Sequence, residues 1–181
     1  MDYAKLFKPG APGFYLTTFN DAQFANLGLY FGIQYKNIVA RYIRGKKSKT
    51  VTAFFDEVAA ALQFPYYFGY NRNAFDECVN DFEWLEGEAY LLLISDAHLL
   101  FEEADQEDFR ILIKMLARAN QEWLEPNKYI PRHRPSTPFH TIFQCPAKEL
   151  AAFEERLRLA EADFELLDKV IKVELVPASR S

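Results

Sequence analysis

The sequence predicts an α/β fold with a mainly parallel sheet of three core strands. Three short runs rich in leucine, β-branched or aromatic residues, at 38–43, 89–95 and 139–145, alternate with segments whose apolar residues recur at helical spacing. Strands that alternate with helices favour parallel pairing, with the helices packed on the sheet. The chain has 181 residues, a length that suits one domain.

Within that domain we expect an N-terminal extension at 1–37, a core at 38–145 and a C-terminal extension at 146–181. The N-terminal part begins with a stretch broken by proline and glycine, followed by a predicted strand at 14–18 and a short helix opened by Asn20 or Asp21. Either extension could add strands to the core sheet.

Four further segments have the apolar spacing of amphipathic helices. Ser48 or Thr50 is the expected N-cap of the first helix and Asn73 that of the second. The second helix has one apolar face, so its acidic residues are expected to point away from the core. The predicted bounds are 51–62, 74–82, 105–124 and 147–167, and a last strand is predicted near 170–176.

Charge is segregated along the sequence. Between positions 73 and 109 there are twelve acidic residues and no Lys or Arg, whereas the remainder has 14 acidic and 21 basic residues. A one-signed surface of this kind favours association with a cationic partner. The amino terminus lacks the apolar core of a secretory signal, and the longest apolar run is far shorter than the ~20 residues of a membrane span. We therefore expect a cytoplasmic protein without a membrane partner.

The sequence contains no recognisable motif for catalysis or cofactor binding. The seven glycines form no phosphate-binding loop, and the sequences Gly-x-Ser-x-Gly and His-Glu-x-x-His do not occur. The three histidines are far apart, and neither Cys78 nor Cys145 belongs to a paired metal-ligand motif. We expect no enzyme activity, no cofactor and no metal, and buried structural thiols at both cysteines.

An aromatic loop precedes the predicted acidic helix. Four rings fall within five positions, at Tyr66, Tyr67, Phe68 and Tyr70. Tyrosine is favoured at interfaces because it offers a large area with few rotors to order. We expect Phe64 and Phe68 to pack inward, Tyr67 and Tyr70 to be partly exposed, and Gly69 to permit a sharp turn.

Asn73, Glu77 and Asp81 lie at i, i+4 and i+8, so they are expected to form a stripe along one side of the helix. Carboxylates and an amide in line can imitate the phosphates of a nucleic-acid strand. The alternative is that these acids are solvated surface residues, some of them placed favourably near the positive end of the helix dipole.

The segment Phe64-Pro-Tyr-Tyr-Phe-Gly-Tyr-Asn-Arg-Asn-Ala-Phe-Asp-Glu-Cys-Val-Asn-Asp-Phe-Glu-Trp-Leu resembles the hallmark segment of the barstar family. The family pattern is approximately Phe-Pro-x-Tyr-Phe-Gly-x-Asn-Trp-Asp-Ala-Leu-x-Asp-Cys-Leu-x-Asp-Leu-x-Trp-Leu. The resemblance covers about residues 38–145 and implies a two-layer fold, with helices packed on a small parallel sheet. It also implies an inhibitor that inserts the loop and second helix into the active site of a secreted guanyl-type ribonuclease. The family is itself a standard example of electrostatically steered association.

By this resemblance, Tyr67 and Asn71 correspond to an interface tyrosine and a loop asparagine, and Glu77 to the acid that occupies the enzyme's phosphate site. The family places Asp where this chain has Asn73, and an apolar residue where it has Arg72. These differences indicate a different choice of partner, because a close charge pair across an interface is sensitive to charge and reach.

The leading hypothesis is a bacterial immunity protein that inhibits a cationic ribonuclease. The predicted contacts are Tyr67, Tyr70, Asn71, Arg72, Asn73, Asp76, Glu77 and Asp81, with Tyr70 as a second aromatic anchor and Asp76 and Asp81 as steering charges. The alternative is a barstar-fold module that binds a protein without inhibiting a nuclease. Direct nucleic-acid binding through the bases Arg41, Arg44, Lys46, Lys47, Lys49, Arg132 and Arg134 ranks third, because these bases can instead pair with the acidic stretch.

Overall fold

A five-stranded sheet forms the centre of the molecule in a computed structural model, which describes residues 6, 12–35, 37–126 and 134–167. The strands are β1 Phe14–Thr17, β2 Ile38–Arg44, β3 Ala89–Ser95, β4 Phe139–Gln144 and β5 Phe164–Leu166. Their order across the sheet is β2-β3-β4-β1-β5, and every neighbouring pair is parallel. The predicted α/β class and the parallel sheet are confirmed.

The described residues also contain five α-helices. They are α1 Asp21–Gln34, α2 Val51–Leu62, α3 Arg72–Asp81, α4 Gln106–Leu124 and α5 Leu150–Leu159. Thr50 caps α2 by accepting a hydrogen bond from the Ala53 amide at 3.2 Å, and Asn20 caps α1. None of these helices is long and apolar enough to cross a lipid bilayer.

The interior strand β3 explains why helices lie on both faces of the sheet. In β3 every residue from Ala89 to Ile94 is buried. Tyr90, Leu92 and Ile94 belong to one apolar cluster, with α2, α3, α4 and α5, and Leu91 and Leu93 belong to a second cluster, with α1. Because both faces of β3 are apolar, each face needs its own cover. The predicted two-layer arrangement is therefore wrong, since α1 adds a third layer.

A tyrosine hydroxyl fixes α1 against the edge strand β2. The Tyr42 hydroxyl accepts a hydrogen bond from the Gly28 amide at 2.8 Å and lies 2.8 Å from the carbonyl oxygens of Phe24 and Ala25. A Cβ at position 28 would lie 2.5 Å from that hydroxyl oxygen, so only glycine admits this close approach.

Both terminal extensions belong to the central sheet. β1 lies between β4 and β5, so the N-terminal extension supplies an interior strand. The predicted helix at 147–167 was too long: α5 ends at Leu159, the chain turns at Glu161 with φ 61°, and Phe164 lies in β5. The strand predicted near 170–176 lies outside the described residues.

Candidate functional site

The aromatic loop between α2 and α3 divides its rings between core and surface. Phe64 and Phe68 pack together with ring centroids 4.8 Å apart, and Phe68 also contacts a phenylalanine of α2. Tyr66, Tyr67 and Tyr70 are 100%, 65% and 56% exposed. The predicted division is confirmed, and it leaves three tyrosines outside the core at one end of α3.

The backbone of this loop differs from the prediction at two positions. Tyr70, rather than Gly69, takes the left-handed conformation, with φ 49°. Asn71, rather than Asn73, caps α3: its Oδ1 accepts from the Ala74 amide at 3.0 Å and its Nδ2 donates to the Gly69 carbonyl at 3.0 Å. Gly69 is required for another reason, because a Cβ there would lie 2.8 Å from the Asn71 Nδ2.

Helix α3 has a buried face and an outward face. Phe75, Cys78 and Val79 are buried, as predicted. Asn73 and Glu77, one helical turn apart, are exposed. Because Asn71 caps α3, the exposed side-chain amide of Asn73 is available to a partner, one helical turn from the Glu77 carboxylate.

Two other charged residues of α3 are tied to α4. The Arg72 guanidinium donates to the carboxylate of Asp108, and Asp76 pairs with Arg118 at 3.2 Å. Asp76 therefore lies against α4 and does not point away from the core as predicted. Partial burial raises the pKa of the Asp76 carboxyl, and the Arg118 charge offsets part of that rise.

Asp81 and Tyr67 belong to one electrostatic neighbourhood. Loss of hydration raises the pKa of the Tyr67 phenol, and the nearby Cys78, Asp81 and Glu83 raise it further. Asp81 is half-buried; desolvation and then the Glu83 carboxylate raise its pKa, against the opposing effect of Arg134. Tyr67 of the aromatic loop thus lies close enough to the C-terminal end of α3 for the charges there to affect it.

A groove of about 440 Å³ opens beside that end of α3. Arg134 lies at the groove with its guanidinium 3.8 Å from the centroid of the Trp123 ring. The guanidinium donates to the carbonyl oxygens of Asn80 at 2.9 Å and Glu122 at 3.0 Å, so it connects the last turns of α3 and α4. This base, one of those named in the third-ranked nucleic-acid hypothesis, is used within the protein.

Other bases in the predicted nucleic-acid set are also paired. Arg44 forms a two-pronged contact with Glu57, with Nε to Oε1 at 2.6 Å and Nη2 to Oε2 at 2.8 Å. Lys49 lies 2.7 Å from Glu102, and Lys46 lies 3.8 Å from Asp96. The last two contacts join the basic segment to the acidic stretch. Arg132 lies outside the described residues.

The carboxyl edge of the sheet is spanned by the protein's own side chains. Gln144, the last residue of β4, accepts from the Asp96 amide and donates to the Phe19 carbonyl, both at 2.9 Å. At the start of α1, Asn20 and Gln23 cap each other's amides at 2.9 and 3.0 Å. Phosphates often bind at this edge and helix terminus in parallel α/β sheets. In this protein the side chains of Gln144, Asn20 and Gln23 already use polar groups at this edge in hydrogen bonds within the chain.

The other candidate chemical groups are buried. Cys78 and Cys145 are free buried thiols, and burial raises the pKa of Cys145 to about 11. His140 is buried on the α1 side of the sheet, where its ring contacts that of Tyr15, and burial lowers its pKa. Within the described residues no group of three or more His, Cys, Asp or Glu side chains could hold a metal ion.

The loop and α3, together with the parallel strands, define an α/β protein with a candidate binding surface beside its sheet. Residues 38–143 match the model of the family described as Barstar (barnase inhibitor). The chain therefore belongs to the barstar family. No curated protein matches the sequence.

A similar solved structure is the ORC2 protein of Aeropyrum pernix, determined as ADPNP-ADP complexes. It is 9% identical, with a TM-score of 0.53, and the match covers 85% of this chain and 40% of that one. The chain thus spans less than half the length of that protein. At this identity the likeness concerns the fold alone.

Four residues near the site were missed or misassigned from the sequence. Tyr66, the most exposed ring, belongs to the same aromatic run and could have been selected with its neighbours. Asp108 and Arg118 pair with α3 residues 36 and 42 positions away, and no short-range pattern indicates such pairs. Arg134 carried a misleading signal, because it lies within a basic, proline-rich connector.

Proposed function

We propose that this protein binds and inhibits a cationic ribonuclease by covering its active site with the aromatic loop and α3. Glu77 occupies a phosphate subsite, and Asn73 supplies hydrogen bonds where the family has a carboxylate. Tyr67 and Tyr70 are aromatic anchors, and Asp81 steers the approach of the partner.

One observation carries this proposal: exposed tyrosines and an exposed carboxylate lie together within the segment that resembles the family's inhibitory segment. Tyr67 and Tyr70 are more than half exposed although both are large rings beside the core. Glu77 has no ion-pair partner among the described residues, whereas Arg72 and Asp76 do. An unpaired carboxylate in the same segment as exposed aromatic rings is suited to meet a basic, partly apolar active site.

Cleavage of RNA by barnase, and by basic ribonucleases of the source organism, tests the proposal. We expect the chain to inhibit at least one of them, and Glu77→Gln to weaken that inhibition by about 2 kcal/mol or more, a rise in Kd of about 30-fold. Glu165→Gln is the matched control, because Glu165 is an exposed acid on the edge strand β5. Equal inhibition by the Glu77→Gln variant and the wild type would show that the site is wrongly assigned.

A second candidate is a barstar-fold module that binds a protein without inhibiting a nuclease. It is favoured by the neutral Asn73 and by the internal pairing of Asp76, which together leave fewer free carboxylates on α3. Capture on the immobilised chain from lysate of the source organism separates the two candidates. Recovery of a partner that depends on Tyr67 and lacks ribonuclease activity would support this second function.

A further inference from the structure

Arg72 places a cation at the start of the helix that is proposed to meet a cationic enzyme. It precedes Glu77 by five residues, about 7.5 Å along the helix axis. Five residues also turn the helix by about 140°, so the two charges are further apart than this rise, but at 0.01 M salt the Debye length of about 30 Å exceeds the diameter of a helix and both charges act on an approaching partner. Unpaired, Arg72 would offset much of the attraction that Glu77 provides.

In the structure this cation is paired with a carboxylate of the neighbouring helix α4. The Asp108 carboxylate, 20% exposed at the first turn of α4, accepts from the Arg72 guanidinium, which is 49% exposed. A carboxylate at that position is also favoured by the α4 dipole.

The second contact between α3 and α4 has the opposite polarity. Arg118 of α4 pairs with the Asp76 carboxylate, and it also contacts Glu122 within its own helix at 2.5 Å. The first contact therefore neutralises a cation of α3, whereas the second neutralises an anion.

We propose that Asp108 determines specificity by neutralising Arg72, so that the partner-facing side of α3 attracts a cationic protein despite carrying an arginine. This inference rests on the proposed function. Asp108 acts through Arg72 and does not contact the partner, which makes it a positioning residue. Arg118 has the reverse effect, because it withdraws the Asp76 charge from that surface.

Breaking the two contacts should change the association rate in opposite directions. With the ribonuclease that the wild-type chain inhibits, at low ionic strength, we expect Asp108→Asn to slow association about threefold to tenfold and Arg118→Gln to accelerate it. At 1 M salt, where the Debye length is about 3 Å, both effects should nearly vanish. A merely structural role predicts another result, because loosening α3 from α4 would weaken binding in both variants.

Two controls make the test specific. The double variant Arg72→Gln/Asp108→Asn, which removes both charges of the pair, should associate at about the wild-type rate; a rate as low as that of Asp108→Asn alone would mean that Asp108 contacts the partner directly and would overturn the proposal. Asp21→Asn changes the net charge equally, but Asp21 belongs to α1 on the opposite face of the sheet, so its effect should stay below about 1.5-fold.

The failure of the proposed function is distinguishable from the failure of this inference. If the wild-type chain binds no ribonuclease, the proposed function fails, and the variants are then compared for binding to a decamer of lysine at low salt. The order Arg118→Gln, wild type, Asp108→Asn, from tightest to weakest, supports neutralisation of Arg72. Equal binding by all three overturns it.

Discussion

Replacement of Arg134 by methionine is expected to destabilise the protein strongly. Its guanidinium donates to the last-turn carbonyls of Asn80 and Glu122, at 2.9 and 3.0 Å, and lies 3.8 Å from the centroid of the Trp123 ring. Methionine keeps the apolar stem but provides no donor. Two carbonyl groups at helix ends then lose their partner, and the C-terminal ends of α3 and α4 lose their connection.

The magnitude follows from these three contacts. A hydrogen bond to a charged donor contributes about 1.5 kcal/mol at the lower end of its range, and a cation–π contact about 0.5 kcal/mol at an exposed site. The lower ends apply because Arg134 is half-buried and water can reach part of the site. The expected loss in the free energy of unfolding is about 3.5 kcal/mol, or about 7 to 14 °C in Tm.

Urea denaturation followed by circular dichroism, together with a thermal scan, measures this loss. Arg158→Met is the matched control, because the ion pairs of Arg158 lie at the surface of α5 and its guanidinium is as far as 5.9 Å from the nearest recorded ring centroid, that of Phe164; it should change stability by less than about 0.5 kcal/mol. A loss below about 1 kcal/mol for Arg134→Met would refute the assignment of Arg134 as the connection between the two helices.

Three further predictions follow from particular contacts. Arg44 holds the pKa of Glu57 below its usual value of 4.5, so the unfolded chain binds a proton at this carboxylate more readily than the folded protein does. Glu57→Gln should therefore lower the urea midpoint at pH 7. The difference in midpoint between this variant and the wild type should shrink as the pH falls below about 4.5. An undiminished difference at pH 2 would contradict this sign. Gly69→Ala should lower the free energy of unfolding by about 1 kcal/mol, because the new Cβ would displace the Asn71 side chain that caps α3. Gly32→Ala is the control: position 32 has open space around it, so this change should be neutral or slightly stabilising. Equal effects of the two substitutions would argue against the predicted clash. Because Gln144 spans the carboxyl edge of the sheet, 1 mM ADP or ATP with Mg²⁺ should leave the Tm unchanged, and a rise of several degrees would show an open nucleotide site.

Periodicity predicted most elements of the core well, because apolar spacing is a local property. β3 and α4 were placed to within a residue, since a run of six buried residues and a long amphipathic stretch have few alternative structures. The boundary of α3 was less well predicted. Asn71 and Asn73 are equally good caps by composition, and the choice depended on the Gly69 and Tyr70 backbone that places Asn71.

The candidate site was predictable where one segment contributes all of it. The exposure of Tyr67 and Tyr70 and the outward position of Glu77 follow from an aromatic loop joined to an amphipathic helix. The surroundings of Arg72 and Asp76 were not predictable, because their partners lie on another helix and depend on how the two helices cross.

By itself, the sequence determined the α/β class, the family resemblance and the loop and helix that carry the candidate site. These features depend on side chains close together along the chain. Only the tertiary structure decided that α1 covers the second face of the sheet, that β1 lies inside the sheet and that Asp108 and Arg118 pair with charges of α3. Each of those outcomes depends on packing between distant segments, where burial and charge pairing select one arrangement among many that the local pattern permits.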